Sequence, residues 1–326
     1  MRITFLVDNL PHPTLPLLTE HGLSLYIETD DLTNRLIGES TNRKIGILCD
    51  MGASGAYIKN AKALGIDLNA CHWAFLSHAH ADHTGGLGKW IAQYGHIPVY
   101  ASHRIPTLQC YSSRPKKVAS MGSETDSPIS RLVDSPERSE LRSIGADLNL
   151  FHGHTPWFKP IEQNTWLTPH IALVFPTCSN YPTPLGNKYL YTDESTNRRI
   201  GDFLGPSTSS GTVRDDFSHE IALCFVTPKG LVIVSCCSHH GALNTIASCM
   251  EFTGCNTLHA YVGGLHFVDS DEVKKEATAF IDEWLQLYPH AHLYTGHCTC
   301  AKAAALLQEH LPHCQLFYTG FQLVID

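Results

Sequence analysis

Residues 76–87 read Leu-Ser-His-Ala-His-Ala-Asp-His-Thr-Gly-Gly-Leu, running on from the apolar stretch Trp73-Ala74-Phe75-Leu76. His78, His80, Asp82 and His83 therefore fall within six residues. Three imidazoles and a carboxylate crowd together cheaply in a folded site only if something uses their lone pairs. A divalent metal does so, since imidazole nitrogen and carboxylate oxygen suit Zn²⁺, Fe or Mn²⁺. With 21 histidines in 326 residues a stray pair means little. The HxHxDH spacing at a strand end, followed by Gly-Gly, is far more specific. His78 and His80 are two apart, so extended backbone points them to the same side. Asp82 and His83 are adjacent and need a turn or a helix start to converge.

The second half of the chain repeats one figure three times: an apolar strand ending in a histidine beside small residues. The three are His239 in Cys236-Cys237-Ser238-His239-His240-Gly241, His266 in Gly263-Gly264-Leu265-His266, and His297 in Gly296-His297-Cys298-Thr299-Cys300. A strand followed by a tight turn of small residues delivers a side chain to the sheet's end, where loops converge. His239 and His297 complete a metal-ligand set with the first motif, and His266 either contacts substrate or donates a proton. Cys237, Cys298 and Cys300 could supply thiolate to the site, but read first as buried, inert thiols. His152 and His154 read as surface or supporting histidines.

These residues need strands and helices to position them, and the chain alternates accordingly. Strands are predicted at 2–7, 23–29, 43–49, 72–77 and 97–101. Later strands are predicted at 220–227, 231–235, 257–262 and 292–295, with closing strands near 315–325. Pro228-Lys229-Gly230 is a hairpin turn. Helices are predicted at 55–65 with Gly65 as C-cap, from Thr84 as N-cap to about Tyr94, and over 242–250, 271–288 and 301–311. The Thr84 cap would aim a helix's positive end at the site and favour an anion there. Two stretches break the alternation. Residues 104–145, with Arg114-Pro115-Lys116-Lys117, read as an exposed insertion or lid. Residues 176–218, rich in Pro, Ser, Thr, Asn and Gly, read as a long substrate-gating loop.

The composition, 43% hydrophobic and 17% charged, is that of a globular enzyme able to bury a core. A formal net charge of −8 argues against a nucleic-acid surface. No apolar run approaches the roughly 20 residues of a membrane helix, and the first residues do not read as a signal peptide. Twelve scattered cysteines without a CxxC pair suit reduced thiols in the cytoplasm. No feature speaks to oligomeric state.

The HxHxDH motif resembles the signature of the metallo-β-lactamase fold superfamily. The resemblance implies an α/β four-layer αβ/βα sandwich with the metal site at the edge between two sheets, here as a single domain over 1–326. It implies His78 and His80 on one metal, and Asp82 and His83 on a second. It also implies that Asp50, in Asp50-Met51-Gly52, supports the metal loop by hydrogen bonding. Val7-Asp8-Asn9, Glu20-His21-Gly22-Leu23-Ser24, Asp50-x-Gly52, the motif itself, Cys237-Ser238-His239-x-Gly241, Gly263-Gly264-x-His266 and His297-Cys298-Thr299 narrow it further. In that order they resemble the 7,8-dihydropterin-6-methyl-4-(β-D-ribofuranosyl)aminobenzene 5′-phosphate synthase-like subgroup. Two departures are Cys236 where the subgroup usually has Gly, and Cys300 where it has Gly after His-Cys-Thr. No aspartate stands at the position that bridges the metals in many superfamily members, so one or two ions remain open.

The expected function is a metal-dependent hydrolase whose metal-activated water is oriented or deprotonated by Asp82, with His266 as proton donor. Its expected substrate is an anionic small molecule, phosphorylated and pterin- or ribose-containing. The alternatives are a lactone or thioester hydrolase, and a non-catalytic metal- or redox-sensing protein.

Overall fold

A computed structural model describes residues 1–30, 44–114, 140–193 and 211–325. Two seven-stranded sheets dominate. The first runs, edge to edge, Gln322–Val324, Arg2–Val7, Ser24–Asp30, Lys44–Cys49, Cys71–Phe75, Val99–Ser102 and Phe158–Ile161. The second runs Cys314–Leu316, His292–Thr295, Leu258–Val262, Gly230–Val234, Ala222–Thr227, Ile171–Val174 and Thr165–Thr168.

Side-chain alternation explains why these strands are apolar on both faces. In Ala222–Thr227, Leu223 and Phe225 face the space between the sheets, while Ala222 and Cys224 face outward. Val232 and Val234 face inward in the same way, with Leu231 and Ile233 outward. The inner core joins Ile3, Phe5, Ile27, Ile47 and Phe75 of one sheet to Leu173, Leu223, Val234 and Val262 of the other. The outer face of the first sheet packs on helices Ala56–Ala63 and Leu87–Tyr94 through Tyr57, Leu87 and Trp90. The outer face of the second packs on Ala242–Thr253, Val273–Leu287 and Ala301–His310. Val273–Leu287 shows the usual device: Val273, Ala277, Phe280, Ile281 and Trp284 form one buried stripe. Each large apolar side chain so buried contributes about 1.5–3 kcal/mol. The result is the expected αβ/βα sandwich.

Lys44–Cys49, Cys71–Phe75 and Val99–Ser102 are mutually parallel, as are Gly230–Val234, Leu258–Val262 and His292–Thr295. The C-terminal ends of Lys44–Cys49, Cys71–Phe75, Gly230–Val234, Leu258–Val262 and His292–Thr295 carry Asp50, the HxHxDH loop and the turns of His239, His266 and His297, and loops converge there.

Three details differ from expectation. Thr84 is not an N-cap: it closes a four-residue helix, Ala81–Thr84, whose cap is His80, and its hydroxyl bonds the His80 carbonyl. A separate helix, Leu87–Tyr94, follows from Gly86. Gly85 and Gly86 make this break because a Cβ there would stand 2.2–2.3 Å from the Ala53, Met51 or Ser54 carbonyl oxygens. The flanks of the two irregular stretches are also structured. Cys110–Ser112 and Arg142–Ser143 pair with Leu190–Asp193 and Thr212–Arg214 in a third, four-stranded sheet. Short strands with mixed polarity give no clear period, and this pairing spans some 80 residues of sequence. The centres of both stretches, 115–139 and 194–210, lie outside the described residues. Among the described residues no helix is long and apolar enough to cross a membrane.

Candidate metal centre

Strand Lys44–Cys49 ends in Asp50, a buried residue with left-handed backbone (φ 56°). One carboxylate oxygen accepts the Ser77 amide at 2.7 Å. The other accepts the Ser77 hydroxyl at 2.7 Å and His83 Nδ1–H at 2.6 Å. Asp50 thus ties together both ends of the HxHxDH loop without entering the cluster of ring nitrogens, as expected.

The tautomers of the rings follow from their partners. Ser77 gives its proton to Asp50, so its oxygen accepts from His78 Nδ1 at 2.8 Å and leaves His78 Nε2 bare. His83 Nε2 is bare because Nδ1 carries the proton to Asp50. Asn9 Oδ1 already accepts the Gly22 amide and faces His297 Nδ1 at 3.3 Å, which turns His297 Nε2 towards Asp82. Burial alone would lower this ring, but the Asp82 carboxylate raises it to about 9, so Nε2 carries a proton that a metal would displace. Asn187 donates to the His239 carbonyl at 2.7 Å and turns Oδ1 to His239 Nδ1 at 3.2 Å. His239 Nε2 is then bare, buried and without a hydrogen-bond partner.

These ring nitrogens converge. His83 Nε2 and His297 Nε2 are 3.0 Å apart, with Asp82 Oδ2 3.6 and 3.5 Å from them. His78 Nε2 is 3.1 Å from His80 Nδ1, and His78, His80 and His239 form a second group of ligand atoms. Ring nitrogens packed this closely around one carboxylate form a donor set that fits divalent metal ions. His78, His80 and His239 would hold one, and Asp82, His83 and His297 another. All six residues expected as ligands are brought together. Burial, then the neighbouring His83 and His80 rings, pushes His78 well below the usual imidazole range. Burial likewise lowers His80, to about 4. Neutral rings of this kind are ready ligands. Burial would raise Asp82, but His83, His297 and His21 around it hold its carboxyl well below the ordinary range.

His266 packs edge-on against His239, ring centroids 4.4 Å apart, and its Nδ1 is buried without a hydrogen-bond partner. Burial, reinforced by Arg114, lowers it to about 3. It is therefore a neutral ring that can offer one N–H, not an imidazolium. His152 and His154 are exposed, as expected of surface histidines.

The loops are held in unusual conformations. Among the described residues the non-glycine positions with positive φ are Asp50, Phe217, Ser238, His266 and His297. All five lie in this site; such conformations cost about 1–3 kcal/mol each and persist where the surroundings over-determine them. Glu220 supplies such restraint, accepting the amides of His239 and His240 at 2.8 and 3.0 Å. Asp8 accepts the His297 amide at 3.0 Å.

Several site residues carry no sequence signal that singles them out. His21 stands 3.4 Å from Asp82 Oδ2, on the turn between the first two strands. Asp215 stands 3.9 Å from His80 Nε2 and accepts from His219 Nε2 at 3.3 Å. His219 is occupied at both nitrogens, since its Nδ1 accepts the Ala79 amide at 3.1 Å. Only His21 lies in a block that carried the family resemblance; Asp215 and His219 sit at the end of an irregular stretch. Cys237 is buried beside the cluster, with Sγ 3.2 Å from His83 Nε2.

Comparison with known proteins agrees with this geometry. The metallo-beta-lactamase superfamily model matches residues 38–156. The chain is similar to the 7,8-dihydropterin-6-methyl-4-(beta-D-ribofuranosyl)-aminobenzene-5′-phosphate synthase of Methanocaldococcus jannaschii, at 27% identity over 316 residues, covering 93% of this chain and 92% of that one. Its fold is similar to the crystal structure of a metal-dependent hydrolase of the beta-lactamase superfamily, with a TM-score of 0.69, 24% identity, and coverage of 100% of this chain and 99% of that one. Residues 38–156, which hold the HxHxDH loop, thus match the metallo-beta-lactamase superfamily model, and the whole chain has a fold similar to that of a hydrolase of that superfamily.

Proposed function

We propose that the protein is a metal-dependent hydrolase acting on a phosphorylated small molecule. The observation that carries the reading is the convergence of ring nitrogens from His78, His83, His239 and His297 beside an ionised Asp82. Divalent ions held there, with zinc the best match to the donor set, would polarise a phosphoryl or carbonyl oxygen and make a water nucleophilic near neutral pH. Asp82 is partly open to solvent and ionised, so it can orient that water and take its proton. His266, kept neutral, offers an N–H to the leaving group.

An anionic substrate is favoured by Arg114, whose guanidinium lies over the Tyr189 ring and whose charge reaches His21 and His266. The name of the methanogen relative, a phosphorylated pterin–ribose synthase, is consistent with that class. All twelve cysteines are free thiols, which fits the cytoplasmic location we also propose.

The test is a panel of phosphoesters, lactones and thioesters, assayed with protein of measured metal content. Phosphoester turnover that is lost on chelation and restored by metal is expected. Turnover that survives complete metal removal, or a preference for lactones, would overturn the reading.

A further inference from the structure

Cys237 sits differently from the other thiols near the centre. Its Sγ lies 3.2 Å from the bare Nε2 of His83. The ligand atoms of Cys237, His78 and His83 lie within 4.8 Å of one another, and Cys237 also groups with His297 and Cys298. His78 belongs to one half of the centre, and His83 and His297 to the other. One sulfur therefore reaches both halves. Ligands on a single tetrahedral zinc, bonded at about 2.0–2.3 Å, stand about 3.3–3.8 Å apart, so a closure of about 1 Å suffices.

Cys298 is oriented otherwise. Its sulfur accepts the His266 amide at 3.2 Å and packs where a Cβ on Gly264 would fall 2.3 Å away. That sulfur anchors the Gly263-to-His266 turn. Cys237, by contrast, is fixed facing inward. The left-handed Ser238 beside it hydrogen-bonds the Tyr261 hydroxyl at 2.7 Å, and Glu220 holds the following two amides.

We propose that Cys237 is a thiolate ligand shared between the two halves of the centre, taking the place of a bridging carboxylate. The inference rests on the metallohydrolase reading above. In the metal-free protein the Cys237 thiol faces the bare Nε2 of His83. On binding, the S–H bond breaks, a sulfur–metal bond forms, and the proton leaves to solvent, with no change in oxidation state. A soft thiolate also tilts the centre towards zinc or iron over manganese.

The experiment is stepwise addition of Co²⁺ to chelator-treated protein, followed by absorption and proton release. Wild type is expected to show visible d–d bands and a near-ultraviolet sulfur-to-cobalt charge-transfer band that grows through both equivalents. Cys237→Ser is expected to keep d–d bands, lose the charge-transfer band, release one proton fewer per chain and bind the second ion at least ~10-fold more weakly. Cys298→Ser keeps the band. Cys237→Asp, a carboxylate at the same place, recovers the affinity without it. Should Cys237→Ser fail to fold, the wild-type and Cys237→Asp spectra carry the test. Wild-type d–d bands without charge transfer, a charge-transfer band surviving in Cys237→Ser, or a band saturating at one equivalent would each overturn the proposal and leave the metal centre standing. No cobalt uptake by wild type would overturn both.

Discussion

Asp50 Oδ2 and His83 Nδ1 are 2.6 Å apart, and both side chains are fully buried. The pair fixes His83 with Nε2 turned into the centre, and the same carboxylate holds Ser77, which in turn orients His78. One acid thus sets the tautomers of a ligand from each half of the site.

Asp50→Asn is therefore expected to weaken metal binding about 10–100-fold, since the neutral amide has one accepting oxygen where the carboxylate uses both, for the Ser77 amide on one and the Ser77 hydroxyl and His83 ring on the other. Competition with a chromophoric chelator measures this directly. An unchanged affinity would mean that the ring is oriented by packing alone.

His80→Ala should remove metal and activity together, whereas His154→Ala, on an exposed loop, should change neither. Metal content and turnover measured on the same preparations decide it. Full activity with reduced metal would break the link between the two.

Chelator-treated protein should lose stability as pH falls. The folded-state values of His78, His80, His239 and His266 lie below the usual 6.5, about 4 for His80 and about 3 for His266, chiefly through burial. The unfolded chain then binds more protons than the folded chain between about 6.5 and those lower values, so stability drops on acidification through that window. Urea midpoints from pH 7 to pH 4 test the sign. A midpoint that rises on acidification would contradict buried neutral rings.

Asp215→Ala should lower the stability of the metal-free protein by about 1–3 kcal/mol by stranding the buried His219 Nε2–H. It should also weaken the ion on the His80 side, because the carboxylate lies nearest the ring nitrogen that is not turned to His78. Thermal melting and metal stoichiometry report the two effects separately.

Gly263→Ala should cost about 3 kcal/mol or more. Its φ of 148° is a glycine conformation, and a Cβ there would stand 1.8 Å from the Ser235 carbonyl oxygen. Soluble yield and melting temperature are the measurements; a near-wild-type melt would show that the adjoining strands can part without loss.

Much of this protein was legible in order of residues alone. The fold class followed from the family resemblance, and the core strands and the six histidine and aspartate ligand candidates from local patterns: alternating apolar runs, HxHxDH, and three strand ends carrying a histidine beside small residues. Local patterns record local physics, namely which face a side chain takes and where the backbone turns. The cap at Thr84 went wrong at this same level, because the tight approach of Gly85 and Gly86 to the loop at residues 51–54 breaks the helix, and that loop lies some 30 residues away.

Only the tertiary structure joined residues far apart in the chain. It paired strand Cys110–Ser112 with Leu190–Asp193, brought His21 and Asp215 to the centre, and turned Cys237, read as an inert thiol, towards His83. It also decided which nitrogen of each ring faces the centre, through Asp50, Ser77, Asn9 and Asn187. A ligand's chemistry is carried by its residue type and nearest neighbours. Its direction and its partner are set by backbone and side chains that meet only when the two sheets pack, and no spacing along the chain encodes that meeting.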